Sequence, residues 1–119
     1  MRKILVLKNG RVLWKAFHAR TFFQKAKGLM FSPKAFPLLL ELDSQGTTRN
    51  SIHSFFCPVF DAVFLDERKR VVCIFKNIRP FKPFLSSPKP AKFLVELPPG
   101  ESRKVELGDR LFWNPGESG

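Results

Sequence analysis

The sequence predicts a small, mainly β domain, a β-sandwich or barrel with one short helix. Three observations carry this. About eight short β-favouring runs follow one another, separated by turn signals at close spacing. The aromatic content is fourteen Phe and two Trp with no Tyr, a choice that suits pleated sheets and dry interiors. The chain has 119 residues, enough for one domain to bury roughly two thirds of its unfolded surface without disulfide or metal support.

The elements follow in order. Residues 3–7 and 12–17 are β-favouring runs around Asn9-Gly10, a dipeptide that tolerates the positive φ of a type I′ turn and so predicts a hairpin. Thr21 followed by Gln24 fits a capping box, Lys25 and Lys27 suit the negative end of a helix dipole, and Gly28 can stop the helix in the left-handed conformation. A helix over 21–27 is the expectation. Residues 36–42 read as a strand, and Asp43-Ser44-Gln45-Gly46 as an exposed loop. The runs 51–56, 59–65 and 71–75 carry apolar residues on both alternating faces, the pattern of strands covered on both sides. Pro80, Pro83, Pro88 and Pro90 make 76–92 a stiff connection that resists regular pairing. Residues 93–97 resume as a strand, 101–106 as a turn or helical piece, and 111–113 close the domain.

The formal charge is +11, unevenly distributed. Residues 1–40 hold nine basic side chains and 68–95 hold eight, and neither segment contains a carboxylate. Were the two to share one side of the fold, they would attract phosphates or acidic surfaces; otherwise they solvate the surface. No run approaches the ~20 apolar residues of a membrane span, and the apolar start is interrupted by Lys8 and Asn9 before a signal-peptide core can form. A cytoplasmic protein is expected. Cys57 and Cys73 read as two buried thiols, with a bond between them as the alternative.

Four segments in compatible order, Lys27-Gly28-Leu29-Met30-Phe31, Phe60-Asp61-Ala62-Val63-Phe64-Leu65-Asp66, Pro90 through Gly100, and Gly108-Asp109, resemble the uncharacterised family known as domain of unknown function 192. The resemblance covers about residues 13–113 and implies a compact β fold of the jelly-roll kind. Many bacterial relatives carry a Trp-Met-Lys-Asn-Thr segment where this chain reads His53-Ser54-Phe55-Phe56-Cys57-Pro58, so no role for that Lys-Asn pair transfers. Many relatives also look exported, whereas this chain starts directly with its first hairpin. The family supplies no agreed catalytic residues.

Asp61 stands out physically: Val59, Val63 and Leu65 share its face, and an ionised carboxylate there is costly to bury without partners. It is either a buried residue bonding backbone amides or an anchor for a ligand hydroxyl or amine. A hairpin folded about Cys57 would set His53 across from Asp61, although a bent strand through 56–60 fits as well. A dyad of Cys57 and His53 on one strand fails, since four residues place them ~13 Å apart. His18, His53, Cys57 and Cys73 lack metal-site spacing, and neither a Gly-rich phosphate loop nor a nucleophile elbow is present. No metal or cofactor is expected.

The first expectation is a non-enzymatic module binding a small ligand in a pocket around Met30, Phe31, His53 and Asp61. The alternative is an RNA or single-stranded nucleic-acid binder that uses Lys76, Arg79, Phe81, Lys82, Phe84, Lys89 and Lys92, basic groups with interleaved aromatics. Against it, Phe81 and Phe84 could instead pin the loop to the core, leaving only weak, salt-sensitive binding. A hydrolase or lyase built on Asp61 and His53 comes third.

Overall fold

The computed structural model describes residues 2–21, 24, 28–42, 54–82 and 85–113. Its strands are β1 (Arg2–Lys8), β2 (Arg11–Ala19), β3 (Leu38–Glu41), β4 (Phe60–Leu65), β5 (Val71–Ile78), β6 (Phe93–Leu97) and β7 (Phe112–Trp113). They form one sheet in the order β5-β4-β6-β3-β2-β1-β7. Neighbours are antiparallel except β2 and β3, which run parallel. A parallel pair needs a crossover, and residues 20–37 supply it.

The local chemistry explains the first elements. Asn9 (φ 52°) and Gly10 (φ 78°) both take the positive φ that a type I′ turn demands. The capping box closes reciprocally: Gln24 N–H donates to Thr21 Oγ1 (3.1 Å), while Gln24 Oε1 accepts from the N–H groups of Thr21 (3.2 Å) and Arg20 (2.9 Å). Gln24 is helical and Gly28 N–H bonds its carbonyl at 2.9 Å. The rest of the expected helix, 22–23 and 25–27, lies outside the described residues.

Both faces of the sheet are apolar. Ile4, Val6, Trp14, Leu39, Val63, Leu65, Val95 and Leu97 build a first cluster; Leu29, Leu38, Leu40, Cys57, Phe60, Phe64 and Leu94 build a second. Strand β4, paired on both sides, alternates between them and is buried throughout, which is why its sequence shows no polar face. Fully burying Phe60 or Phe64 contributes roughly 1.5–3 kcal/mol each.

The sheet curls around the first cluster until its outer ends touch at one corner. There Arg70 bridges Arg110, Val71 N–H donates to the Asp109 carbonyl (2.8 Å), and Leu111 N–H donates to the Lys69 carbonyl (2.9 Å). Pairing stops at that corner, so the sheet is not closed into a barrel. No helix among the described residues is long and apolar enough to cross a membrane.

Two expected elements differ. Of the run 51–56, residues 51–53 lie outside the described residues, and Ser54, Phe55 and Phe56 are not strand: Phe55 and Phe56 form a turn. Both sides of β4 are taken by β5 and β6, leaving no position for a hairpin partner across from Asp61. Strand β5 continues to Ile78, past the expected end at residue 75. It does so through a bulge at Asn77 (φ 52°), whose N–H is satisfied by a side chain instead of the ladder.

Candidate binding surface

Ser54, fully buried, joins two turns. Its N–H donates to the Lys82 carbonyl (2.9 Å), and its carbonyl accepts from the N–H groups of Phe81 and Cys57, both at 3.1 Å. Its hydroxyl donates to the Arg79 carbonyl (2.6 Å) and accepts from Lys82 N–H (2.7 Å). A hydroxyl both donates and accepts, so one small side chain holds the 54–57 turn against the 79–82 turn. A third turn, 28–31, is tied on by Phe31 N–H donating to the Phe56 carbonyl at 2.8 Å.

These three turns present aromatic rings to solvent. Phe31 is 72% exposed, Phe81 61%, Phe56 55% and Phe55 38%. Phe31 stacks on Phe56 with centroids 5.3 Å apart and planes 18° from parallel. Phe81 makes tilted, edge-type contacts with Phe56 at 5.8 Å and with Phe55 at 6.3 Å. Phe31 (φ 64°), Phe56 (φ 59°) and Phe81 (φ 68°) all sit in the left-handed region, where a bulky side chain is a genuine outlier costing about 1–3 kcal/mol. The hydrogen bonds of Ser54 and Phe31 are what hold these three in place. Strain and exposure are thus concentrated in one patch of rings.

The expected site residues separate. Phe31 joins this surface, while Met30 beside it packs onto the second cluster. Arg79, Phe81 and Lys82 share one turn of the surface, so the loop does not pin Phe81 to the core. Lys76 is exposed on β5. Lys92 pairs with Glu41 at 3.4 Å, and Lys89 lines a shallow depression with Asp66, Glu67 and Arg68. A second open depression, about 630 Å³, is lined by Arg2, His18, Arg20, Thr21 and Gln24. His53 and Phe84 lie outside the described residues. Phe55 and Phe56 were not singled out by sequence reasoning, although adjacent aromatics before a Cys-Pro turn are an available signal.

Asp61 shares the face of Val63 and Leu65 and is 1% exposed. Its Oδ1 accepts from Asn77 N–H (2.8 Å). Its Oδ2 accepts from Gly100 N–H (2.9 Å), Ser102 N–H (3.3 Å) and the Ser102 hydroxyl (2.6 Å). The carboxylate thus ties β4 to the β5 bulge and to the 3₁₀ turn Glu101–Lys104. Both oxygens are engaged by donors from within the protein.

Glu96 is the buried acid that sequence reading missed. It follows Leu94 on the second face of β6, is 6% exposed, and its Oε1 has no hydrogen-bond partner. Burial pushes its carboxyl up to about 7. Cys57, free and buried, has its thiol pushed up to about 11 by burial and then by the Glu96 charge, so almost no thiolate forms at neutral pH. Cys73 is also a free thiol, raised by burial and partly lowered by a hydrogen bond with Ser87. Among the described residues no group of three or more His, Cys, Asp or Glu side chains gathers to hold a metal.

A curled single sheet with apolar clusters on both faces and an exposed aromatic patch defines a β domain with a candidate binding face. The chain belongs to the uncharacterized ACR family, domain of unknown function 192, whose model matches residues 5–113. It is 33% identical over 112 residues to a UPF0127 protein of Pyrococcus furiosus, covering 92% of this chain and 95% of that one. A UPF0127 protein of Pyrococcus horikoshii is 34% identical over 98 residues, covering 80% and 84%. Two solved structures share the fold. One, a Novosphingobium aromaticivorans protein of unknown function, has a TM-score of 0.76 at 20% identity, covering 93% of this chain and 84% of that one. The other, a Sinorhizobium meliloti protein provisionally described as a transcription regulator, has a TM-score of 0.77 at 19% identity, covering 94% and 92%.

Proposed function

We propose that this chain is a non-enzymatic binding module that holds a small ligand on the surface formed by Phe31, Phe55, Phe56 and Phe81. The observation that carries the reading is the conformation of three of these residues: Phe31, Phe56 and Phe81 are held at left-handed φ with their rings in solvent. A fold selected for stability alone would place Gly or Asn at such positions. Flat apolar rings offer stacking to a planar ligand, and Arg79 and Lys82, exposed on the Phe81 turn, favour a ligand that also carries an anionic group. A nucleotide-sized molecule combines the two features. The side chains best suited to chemistry are committed elsewhere: Asp61 to internal donors, Cys57 to a neutral buried thiol.

The test is titration with adenosine monophosphate, adenosine and inorganic phosphate, followed by calorimetry. Adenosine monophosphate is expected to bind most tightly, adenosine measurably, and phosphate least. Phe56→Gly, which suits the backbone, is expected to abolish the two ring-dependent interactions while the protein stays folded. Equal binding of all three probes, or binding indifferent to Phe56→Gly, refutes the reading.

A further inference from the structure

We infer that the ligand of this surface is a single-stranded nucleic acid, engaged over more than one nucleotide; the inference rests on the aromatic surface being the binding face. Three chain segments build that surface, and none carries a carboxylate. Phe31 comes from residues 1–40, Phe55 and Phe56 from 44–60, and Phe81 from 68–95. The fold therefore brings one turn from each of the two basic, acid-free stretches together at the exposed rings, through the Phe31 to Phe56 hydrogen bond and the Ser54 bonds to the 79–82 turn. The buried acids Asp61 and Glu96 add no exposed negative charge.

The ring arrangement also has room for more than one planar unit, so the nucleotide-sized ligand can be part of a strand. Phe31 and Phe56 form one stacked pair, and Phe81 stands edge-on beside it with Phe55 beyond. Rings tilted against one another present separate faces, as strand binders do when successive bases stack on different aromatic side chains. Arg79 and Lys82 flank Phe81 in the chain and are exposed, cations that a phosphate backbone running past stacked bases would attract. An acidic protein segment could use the charge but would gain little from an array of flat, separately oriented rings.

Fluorescence anisotropy with a labelled oligothymidylate of about ten nucleotides, at low and physiological salt, tests the inference. The strand is expected to bind far more tightly than adenosine monophosphate and to remain bound at physiological salt. Phe81→Ala is expected to weaken it by roughly 5- to 150-fold. Phe81→Asn, which tolerates left-handed φ, serves if the alanine variant melts early. Arg79→Gln and Lys82→Gln are each expected to lower the slope of log affinity against log salt by about one. A strand that binds no more tightly than adenosine monophosphate overturns the inference and leaves the small-ligand surface standing. Strand binding that ignores Phe81, or that polyglutamate displaces at equal charge, also overturns it, the latter in favour of an acidic protein partner. Failure of adenosine monophosphate and strand alike removes the aromatic surface itself as the binding face.

Discussion

The Ser102 hydroxyl donates to Asp61 Oδ2 at 2.6 Å, the shortest of four bonds that engage this buried carboxylate. It joins the buried strand β4 to a turn 41 residues away in sequence. Asp61→Asn replaces one acceptor oxygen by an amide that faces N–H donors. A loss of about 1–3 kcal/mol in urea unfolding is expected, with ligand binding to the folded protein unchanged. Ser102→Ala should cost about 1 kcal/mol. A variant of Asp61 that melts normally but loses binding would return the residue to the ligand.

Ser54→Ala removes the hydroxyl that both donates to Arg79 and accepts from Lys82. Leaving the carbonyl and the N–H without it should cost about 1–3 kcal/mol. Amide hydrogen exchange should accelerate at Lys82, whose N–H loses its acceptor. Unchanged protection there would mean that the two turns are joined by something other than Ser54.

Relieving the strained positions should separate stability from binding. Phe81→Gly loses ring contacts worth about 0.5–1.5 kcal/mol and recovers a comparable left-handed penalty of about 1–2 kcal/mol. Thermal stability is expected to stay level or rise slightly while binding falls. A marked drop in melting temperature would show Phe81 to be a structural ring.

Glu96 gives stability a pH dependence of definite sign. Its carboxyl is raised from 4.5 to about 7 in the folded protein, so the folded state holds the proton more tightly than the unfolded chain. Below about 4.5 the group is neutral in both states and costs nothing. Its contribution declines as pH rises through about 7 and is flat above, a total of about 3 kcal/mol. Asp109 acts oppositely: its carboxyl is lowered, first by the Lys8 hydrogen bond, and its contribution is lost as pH falls. Comparing wild type with Glu96→Gln across pH 5 to 8 isolates the Glu96 component. The glutamine variant should lack that decline and be the more stable of the two at pH 8. Parallel curves would mean that Glu96 has a partner in solution.

Much of the fold was legible because it rests on local rules. Asn9-Gly10 specified its turn, Thr21 and Gln24 their reciprocal cap, and the two-faced apolar pattern of 59–65 a strand covered on both faces. The unusual position of Asp61 among apolar neighbours was readable too, although its partners Asn77, Gly100 and Ser102 were not, since they arrive from distant segments. The aromatic surface was hidden for a stronger reason. Left-handed φ is signalled by Gly or Asn, and at residues 31, 56 and 81 the chain has Phe, so local propensity points away from the turns that form. Bonds spanning 25 to 28 residues, from Ser54 to Arg79 and Lys82 and from Phe31 to Phe56, override it. Glu96 could have been found: an acid two residues after Leu94 in a five-residue apolar strand must face the same interior.

The most direct measurement of the central claim is the NMR spectrum of the protein with ¹³C-labelled phenylalanine rings, recorded while adenosine monophosphate is added. The account predicts that the rings of Phe31, Phe55, Phe56 and Phe81 shift together, on one binding curve, while buried Phe60 and Phe64 stay in place. Shifts confined to signals near the Arg2, His18 and Arg20 depression, with the four exposed rings unmoved, would contradict it.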